Sequence, residues 1–198
     1  MSQNNSKLLL NAGCGTHYAE GWVNVDVWSS ATTKPDVVVF PGEPYPFPDN
    51  HFDAVYLGHV IEHIDWKSVN SFLLEIKRVA KPNAPILIVG PDVYKTINRW
   101  KDGLEPWHMV LSTLEHQEHN YQPDREHEFW DGAAHHWNCH HDRVHRLLTN
   151  LGFSEITDYF NKIPNDTEAK WWHDENTGIT WPVVGKWHWQ FAIHAIAK

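Results

Sequence analysis

Short apolar runs alternating with segments of helical period constrain this chain more than any other feature. Leu8-Leu9-Leu10, Val23-Asn24-Val25-Asp26, Val37-Val38-Val39-Phe40, Ala54-Val55-Tyr56-Leu57-Gly58 and Ile86-Leu87-Ile88-Val89-Gly90 are bounded by Gly, Asn, Asp or Pro, as buried strands are. Val69, Phe72, Leu73, Ile76 and Val79 then fall at helical spacing, as do Val144, Leu147, Leu148 and Leu151. Lys81-Pro82 stops the first helix and Gly152 follows the second. Two more strands are expected at Ile156–Phe160 and Trp187–Ala197, the last with Trp189 and Phe191 among its inward residues. Strands that alternate with helices build a mostly parallel sheet covered on its faces by the helices. Ligands of such sheets bind outside the strands' carboxyl ends, so the loops after Leu10, Val25, Val39, Leu57 and Val89 are where chemistry is expected.

The 198 residues are enough for one ordinary domain with a real core, and residues 1–198 are read as a single domain. A formal charge of −9, from 25 acidic against 16 basic residues, argues against tracking a phosphate backbone, so no nucleic-acid partner is expected. Small neutral or cationic substrates fit this charge better. Two cysteines, Cys14 and Cys139, are too few for a disulfide framework, and no apolar run reaches bilayer length. A cytoplasmic chain with no membrane partner is therefore expected. The chain has 12 Trp and 16 His, which crowd into positions 100–145 and 171–194, so residues 95–138 read as a cap insertion and 161–186 as a Trp-rich loop.

Asn11-Ala12-Gly13-Cys14-Gly15 lets main chain approach a ligand closely, because glycine tolerates positive φ and offers no side chain. Strand two ends in Asp26, a carboxylate able to accept both hydrogen bonds of a ribose diol. Together they describe an adenosine site. A dinucleotide fingerprint would need glycine where Tyr18 stands and an acid about 20 residues on, but Asp26 follows Gly15 by only 11 residues. A pyrophosphate-binding helix hardly fits that gap.

The ordered series Leu10-Asn11-Ala12-Gly13-Cys14-Gly15, Gly21-Trp22-Val23-Asn24-Val25-Asp26, Pro46-Phe47-Pro48-Asp49-Asn50-His51-Phe52-Asp53, His59-Val60-Ile61-Glu62-His63 and Leu74-Glu75 through Arg78-Val79 to Lys81-Pro82 resembles the small class I methyltransferases of the methyltransferase-11 type. The resemblance implies an α/β, Rossmann-like sheet of order 3-2-1-4-5-7-6 with strand seven antiparallel, and S-adenosyl-L-methionine as cofactor. It also implies a cofactor site made of Asn11, Ala12, Gly13, Cys14, Gly15, Asp26, Val27, Phe40, Leu57, Gly58 and His59. In this reading Asp26 holds the ribose hydroxyls, Val27 flanks the adenine and Leu57-Gly58-His59 lie near the sulfonium. Two departures stand out: Phe40 occupies a position where many relatives carry an Asp for the adenine amino group, and the first helix is shortened to little more than a turn.

A base near neutral pH helps when the acceptor is a hydroxyl or a protonated amine, and histidine fits that need unperturbed. His59 is the first candidate, with His63 and His136 behind it. Asp92 in Gly90-Pro91-Asp92, His135, and an aromatic wall of Trp100, Trp107, Trp130 and Trp137 are candidates for contact with a small-molecule or glycan acceptor methylated on oxygen or nitrogen. Trp187 and Trp189 are assigned to the core. Two other readings stand beside this one. The chain could hold the cofactor without turning it over, or His59-x-x-Glu62-His63, whose residues share a face if helical, could bind zinc for hydrolysis with Glu62 as base. No protein ligand set for a metal is assigned from sequence, because the motif lacks a third ligand; His135, His136, His140, His141 and His145, with Cys139 among them, form no complete spaced signature.

Overall fold

The computed structural model describes residues 7–27, 34–40, 42–114, 135–165, 170–183 and 186–198. The first strands run β1 (Leu9–Ala12), β2 (Val23–Asp26), β3 (Val37–Val38), β4 (Ala54–Gly58) and β5 (Pro85–Pro91), with helix α1 (Val69–Val79) between the last two. Helices α2 (Val93–Lys101), α3 (Trp107–Leu114) and α4 (His141–Asn150) follow, then β6 (Ser154–Asp158), a hairpin of β7 (Trp172–Asp174) and β8 (Ile179–Trp181), and β9 (Gln190–Ile196). The main sheet has the order β3-β2-β1-β4-β5-β9-β6. Strands β1 to β5 pair in parallel, while β9 runs antiparallel to both β5 and β6. Allowing for the inserted hairpin, this is the expected Rossmann-like methyltransferase sheet with its last strand reversed. Among the described residues no helix is long and apolar enough to cross a membrane.

Alternation along the strands makes two cores, one on each face of the sheet. Leu10, Val55, Leu57, Ile86, Ile88, Phe191 and Ile193 face one way and pack under Leu73 and Ile76 of α1 and Val144 and Leu148 of α4. Tyr56, Leu87, Val89 and Ala192 face the other way. On that side no helix follows β1; residues 13–22 make turns instead. The hairpin supplies the cover, since Trp181 is fully buried with its ring 5.8 Å from Trp22 and 6.5 Å from Tyr56. A segment expected as loop thus becomes partly core. Gly152 has φ +77° and donates to the Thr149 carbonyl, while Phe153 donates to Leu148, which closes α4 as a left-handed residue past a helix end does.

The last strand begins at Gln190, later than expected, and its Trp neighbours are not core: Trp187 is 42% exposed and Trp189 half-buried. Both precede the point where β9 joins the ladder at Gln190 opposite Pro91, so no sheet face covers them.

Candidate active site

The carboxyl ends of β1 and β2 meet at a bend fixed by main-chain bonds. The amides of Gly13 and Cys14 both donate to the Val25 carbonyl, at 2.7 and 3.0 Å, and Gly13 takes φ +77°. A Cβ on Gly13 would collide with the methyl groups of Val60, so glycine is required for space as well as for φ. Asp26 reaches back across the bend: Gly15 N–H donates to its Oδ2 at 2.6 Å and Val27 N–H to its Oδ1 at 2.7 Å. An ionised carboxylate offers about four acceptor positions, so each oxygen retains room for a further donor. Beside it lies a cavity of about 230 Å³ bordered by Gly13, Asp26, Val27, Val39, Phe40 and Tyr45 among others. That is below the 300–1,000 Å³ typical for a whole drug-sized ligand. Its acceptor at one side and apolar walls at the other fit the adenosyl part of the expected cofactor, with the amino-acid tail left to the open space above Gly15, where a Cβ would meet nothing within 4 Å.

Arg78 on α1 holds the wall of this cavity. Its guanidinium donates to Glu75 through Nε at 2.8 Å and Nη2 at 2.6 Å, to Asp49 at 2.6 Å, and to the carbonyls of Phe47 and Tyr45. Glu75 also accepts from the Tyr45 amide at 2.7 Å. The hydrogen bonds from Arg78 are the main reason the Glu75 carboxyl sits below its usual range, with partial burial opposing them. The resemblance motif around Leu74-Glu75 and Arg78 therefore clamps the loop that carries Tyr45.

At the end of β4 the chain turns sharply. His59 takes φ +56°, a costly region for a residue with a Cβ, and residues 61–63 form a single 3₁₀ turn. His59 lies outside that turn, yet its ring and that of His63 both approach Glu62 Oε1, at 3.1 and 4.0 Å. Its Nδ1 lies 3.1 Å from Glu62 Oε1, and its Nε2 is in hydrogen-bond contact with Gln190 Nε2. Gln190 Oε1 already accepts from the Trp187 amide at 2.8 Å, so the Gln190 amide nitrogen is the donor towards His59. This fixes His59 as the Nδ1–H tautomer, donating to Glu62 and accepting at Nε2. Glu62 is fully buried, and burial alone would raise its carboxyl; the His59 hydrogen bond and the neighbouring imidazoles of His59 and His63 hold it below the usual range instead.

The remaining candidates divide. His135 packs its ring 5.0 Å from His63, and the amide of His136 donates to the Glu62 carbonyl at 2.8 Å. Trp137 is buried, with Nε1 donating to the Ile61 carbonyl at 2.7 Å; it supports the turn from within the core and forms no acceptor wall. Asp92 is buried as the N-cap of α2, its oxygens taken by the amides of Tyr94, Lys95 and His141. Trp107 is 48% exposed and packs on Trp100 at 4.7 Å, and Trp130 lies outside the described residues. Asn11 is buried and bonded to Asn24 and the His17 carbonyl, Ala12 and Leu57 are core, and the thiol of Cys14 is pushed up to about 12, first by burial and then by Asp26. A Cβ on Gly58 would strike the Tyr56 ring. Gln190, Tyr45 and Glu62 as an orienting group are new. Gln190 had a findable signal, since an antiparallel strand brings its amino end to the edge where parallel strands bring their carboxyl ends.

The family model described as a methyltransferase domain matches residues 10–88. No curated protein matches the sequence. Among solved structures, a SAM-dependent methyltransferase from Archaeoglobus fulgidus is 18% identical with TM-score 0.52, covering 98% of this chain and 87% of that one. A SAM-dependent methyltransferase from Methanosarcina mazei is 18% identical with TM-score 0.53, covering 98% and 93%. A possible histamine N-methyltransferase from Thermotoga maritima is 13% identical with TM-score 0.55, covering 97% and 83%. At these identities the structures share the fold with this chain.

Proposed function

We propose that this chain, a methyltransferase of the methyltransferase-11 type with S-adenosyl-L-methionine as its cofactor, methylates an oxygen or nitrogen of a small-molecule or glycan acceptor with His59 as general base. The cofactor supplies a methyl group already activated on a sulfonium, so the protein's work is alignment and, for a hydroxyl or ammonium acceptor, removal of one proton. Asp26 accepts the ribose hydroxyls on its unused lone pairs. Val27 and Phe40 border the adenine, and with no carboxylate at the end of β3 the base is held by apolar contact and main-chain groups. The main chain of Gly13 to Gly15 lies along the amino-acid part, with Leu57, Gly58 and His59 at the reacting end.

The observation that carries this reading is the environment of His59. Its Nδ1–H is held by a buried carboxylate, which fixes the ring and stabilises the imidazolium that forms when Nε2 takes a proton. The acceptor displaces the Gln190 amide from Nε2 as it enters. His63 on the same turn, and His136, whose amide is bonded to the Glu62 carbonyl, remain the reserve candidates. Trp189 lies edge-on to His59 at 5.6 Å, and the exposed Trp187 stacks near-parallel on Trp189 at 6.1 Å. An aromatic shelf beside the base suits the apolar face of a sugar ring or another flat acceptor. Labelled methyl transfer across a panel of oligosaccharides, small alcohols, amines and thiols tests this: oxygen or nitrogen products lost in His59→Ala support it, and transfer to thiols alone refutes it.

A further inference from the structure

The turn that carries His59 holds a feature that methyl transfer leaves unused. Glu62 Oε1 receives the His59 proton donor, but its buried Oε2 has no hydrogen-bond partner. Buried carboxylate oxygens are nearly always satisfied, because an unpaired one keeps the full cost of leaving water. His135 repeats the pattern. Its Nδ1 is buried without a partner. With His63 these side chains bring one carboxylate oxygen and two ring nitrogens within 4.8 Å of one another. Ligand atoms around a tetrahedral zinc stand about 3.4 Å apart, given bonds near 2.1 Å, so small side-chain rotations close the gap.

We propose that Glu62, His63 and His135 bind a first-row divalent transition metal of the zinc class. One carboxylate and two imidazoles suit Zn²⁺, Co²⁺ or Fe²⁺ and serve Mg²⁺ or Ca²⁺ poorly, since those prefer oxygen ligands. The outer contacts such a site needs are in place. His59 Nδ1–H holds Glu62 Oε1 at 3.1 Å and His63 Nε2 lies 4.0 Å from the same oxygen, so the carboxylate is oriented beside the ring of His63. His135 is held to the turn by its neighbours, through His136 N–H to the Glu62 carbonyl and Trp137 Nε1–H to the Ile61 carbonyl. The arrangement differs from the hydrolase reading of the sequence: His59 is not a ligand, Glu62 is one, and the third ligand comes from a distant segment. Three protein ligands leave a coordination position open. A cation there would favour acceptors offering an oxygen, and this role alone rests on the methyl-transfer reading.

The test is direct metal binding by the full chain, freed of metal with a chelator and titrated with Co²⁺ by visible absorption and then with Zn²⁺ in competition. One equivalent is expected to bind with the spectrum of a nitrogen- and oxygen-ligated ion. His135→Ala should weaken it by roughly tenfold or more, and His63→Ala gives the same loss should the first variant fail to fold. A His141→Ala, His145→Ala double variant, which removes a nearby imidazole pair outside the cluster, should bind as the native chain does. S-adenosylmethionine affinity should be unchanged in His135→Ala, so loss of the metal site and failure of the methyltransferase assignment give different results. No binding, or equal binding by the native, His135→Ala and His63→Ala chains as for an adventitious ion, overturns the proposal.

Discussion

The two halves of the proposed active edge are built in opposite ways. The proposed cofactor side is local: Gly13, Gly15, Asp26 and Val27 lie on two adjacent strand ends and are joined by hydrogen bonds donated by main-chain amides. The proposed acceptor side is assembled from the turn at 59–63, the segment at 135–139 and the start of β9, and most of its contacts are made by side chains. A main-chain cradle is specified by φ, space and one carboxylate, and so tolerates little variation. A side-chain cluster on a common sheet edge can be rebuilt by distant substitutions, which is how one fold serves many acceptors.

This contrast predicts separable effects. His59→Ala should lower the methyl-transfer rate by about 10²–10⁴, the usual share of a general base, while titration calorimetry shows native cofactor affinity; equal loss of both would mean the two sides are not separable. Gly13→Ala should act on the other side, costing about 1–3 kcal/mol in denaturant unfolding from its positive φ and the collision with Val60, with cofactor binding lost in parallel. Arg78→Ala should cost about 1.5–3 kcal/mol, the scale of hydrogen bonds to charged groups, and weaken cofactor binding through the loop at Tyr45 without altering the pH dependence of the transfer step. The smallest effect concerns Glu75. Its carboxyl is lower in the folded chain than unfolded, so the stability it contributes is complete above the unfolded value of about 4.3 and is lost as pH falls through the lower folded one. Unfolding curves between neutral and acid pH should show that loss in the native chain and lack it in Glu75→Gln.

Legibility in the sequence follows the same division. Strands β2 and β4 match the apolar runs at Val23–Asp26 and Ala54–Gly58 residue for residue, and the bend and acid were readable because they are close in sequence and chemically constrained. The acceptor side was not. The His59 partner Gln190 lies at the start of the reversed strand, far away in sequence, so only the expected topology and no local motif points to it. Trp137 reads as a surface aromatic until its indole N–H is seen to satisfy the Ile61 carbonyl, and Asp92 reads as a strand-end acid although its oxygens cap α2. The β7–β8 hairpin escaped because strands of three residues are too short to establish alternation.

The central claim is that the bend after β1 and the Asp26 carboxylate form the adenosyl cradle. Calorimetric titration with S-adenosylmethionine and its demethylated product, on the native chain and on Asp26→Ala, tests it most directly. Binding of both ligands by the native chain and a loss of about 1–3 kcal/mol in the variant is the predicted result; equal affinities in the two proteins would contradict it.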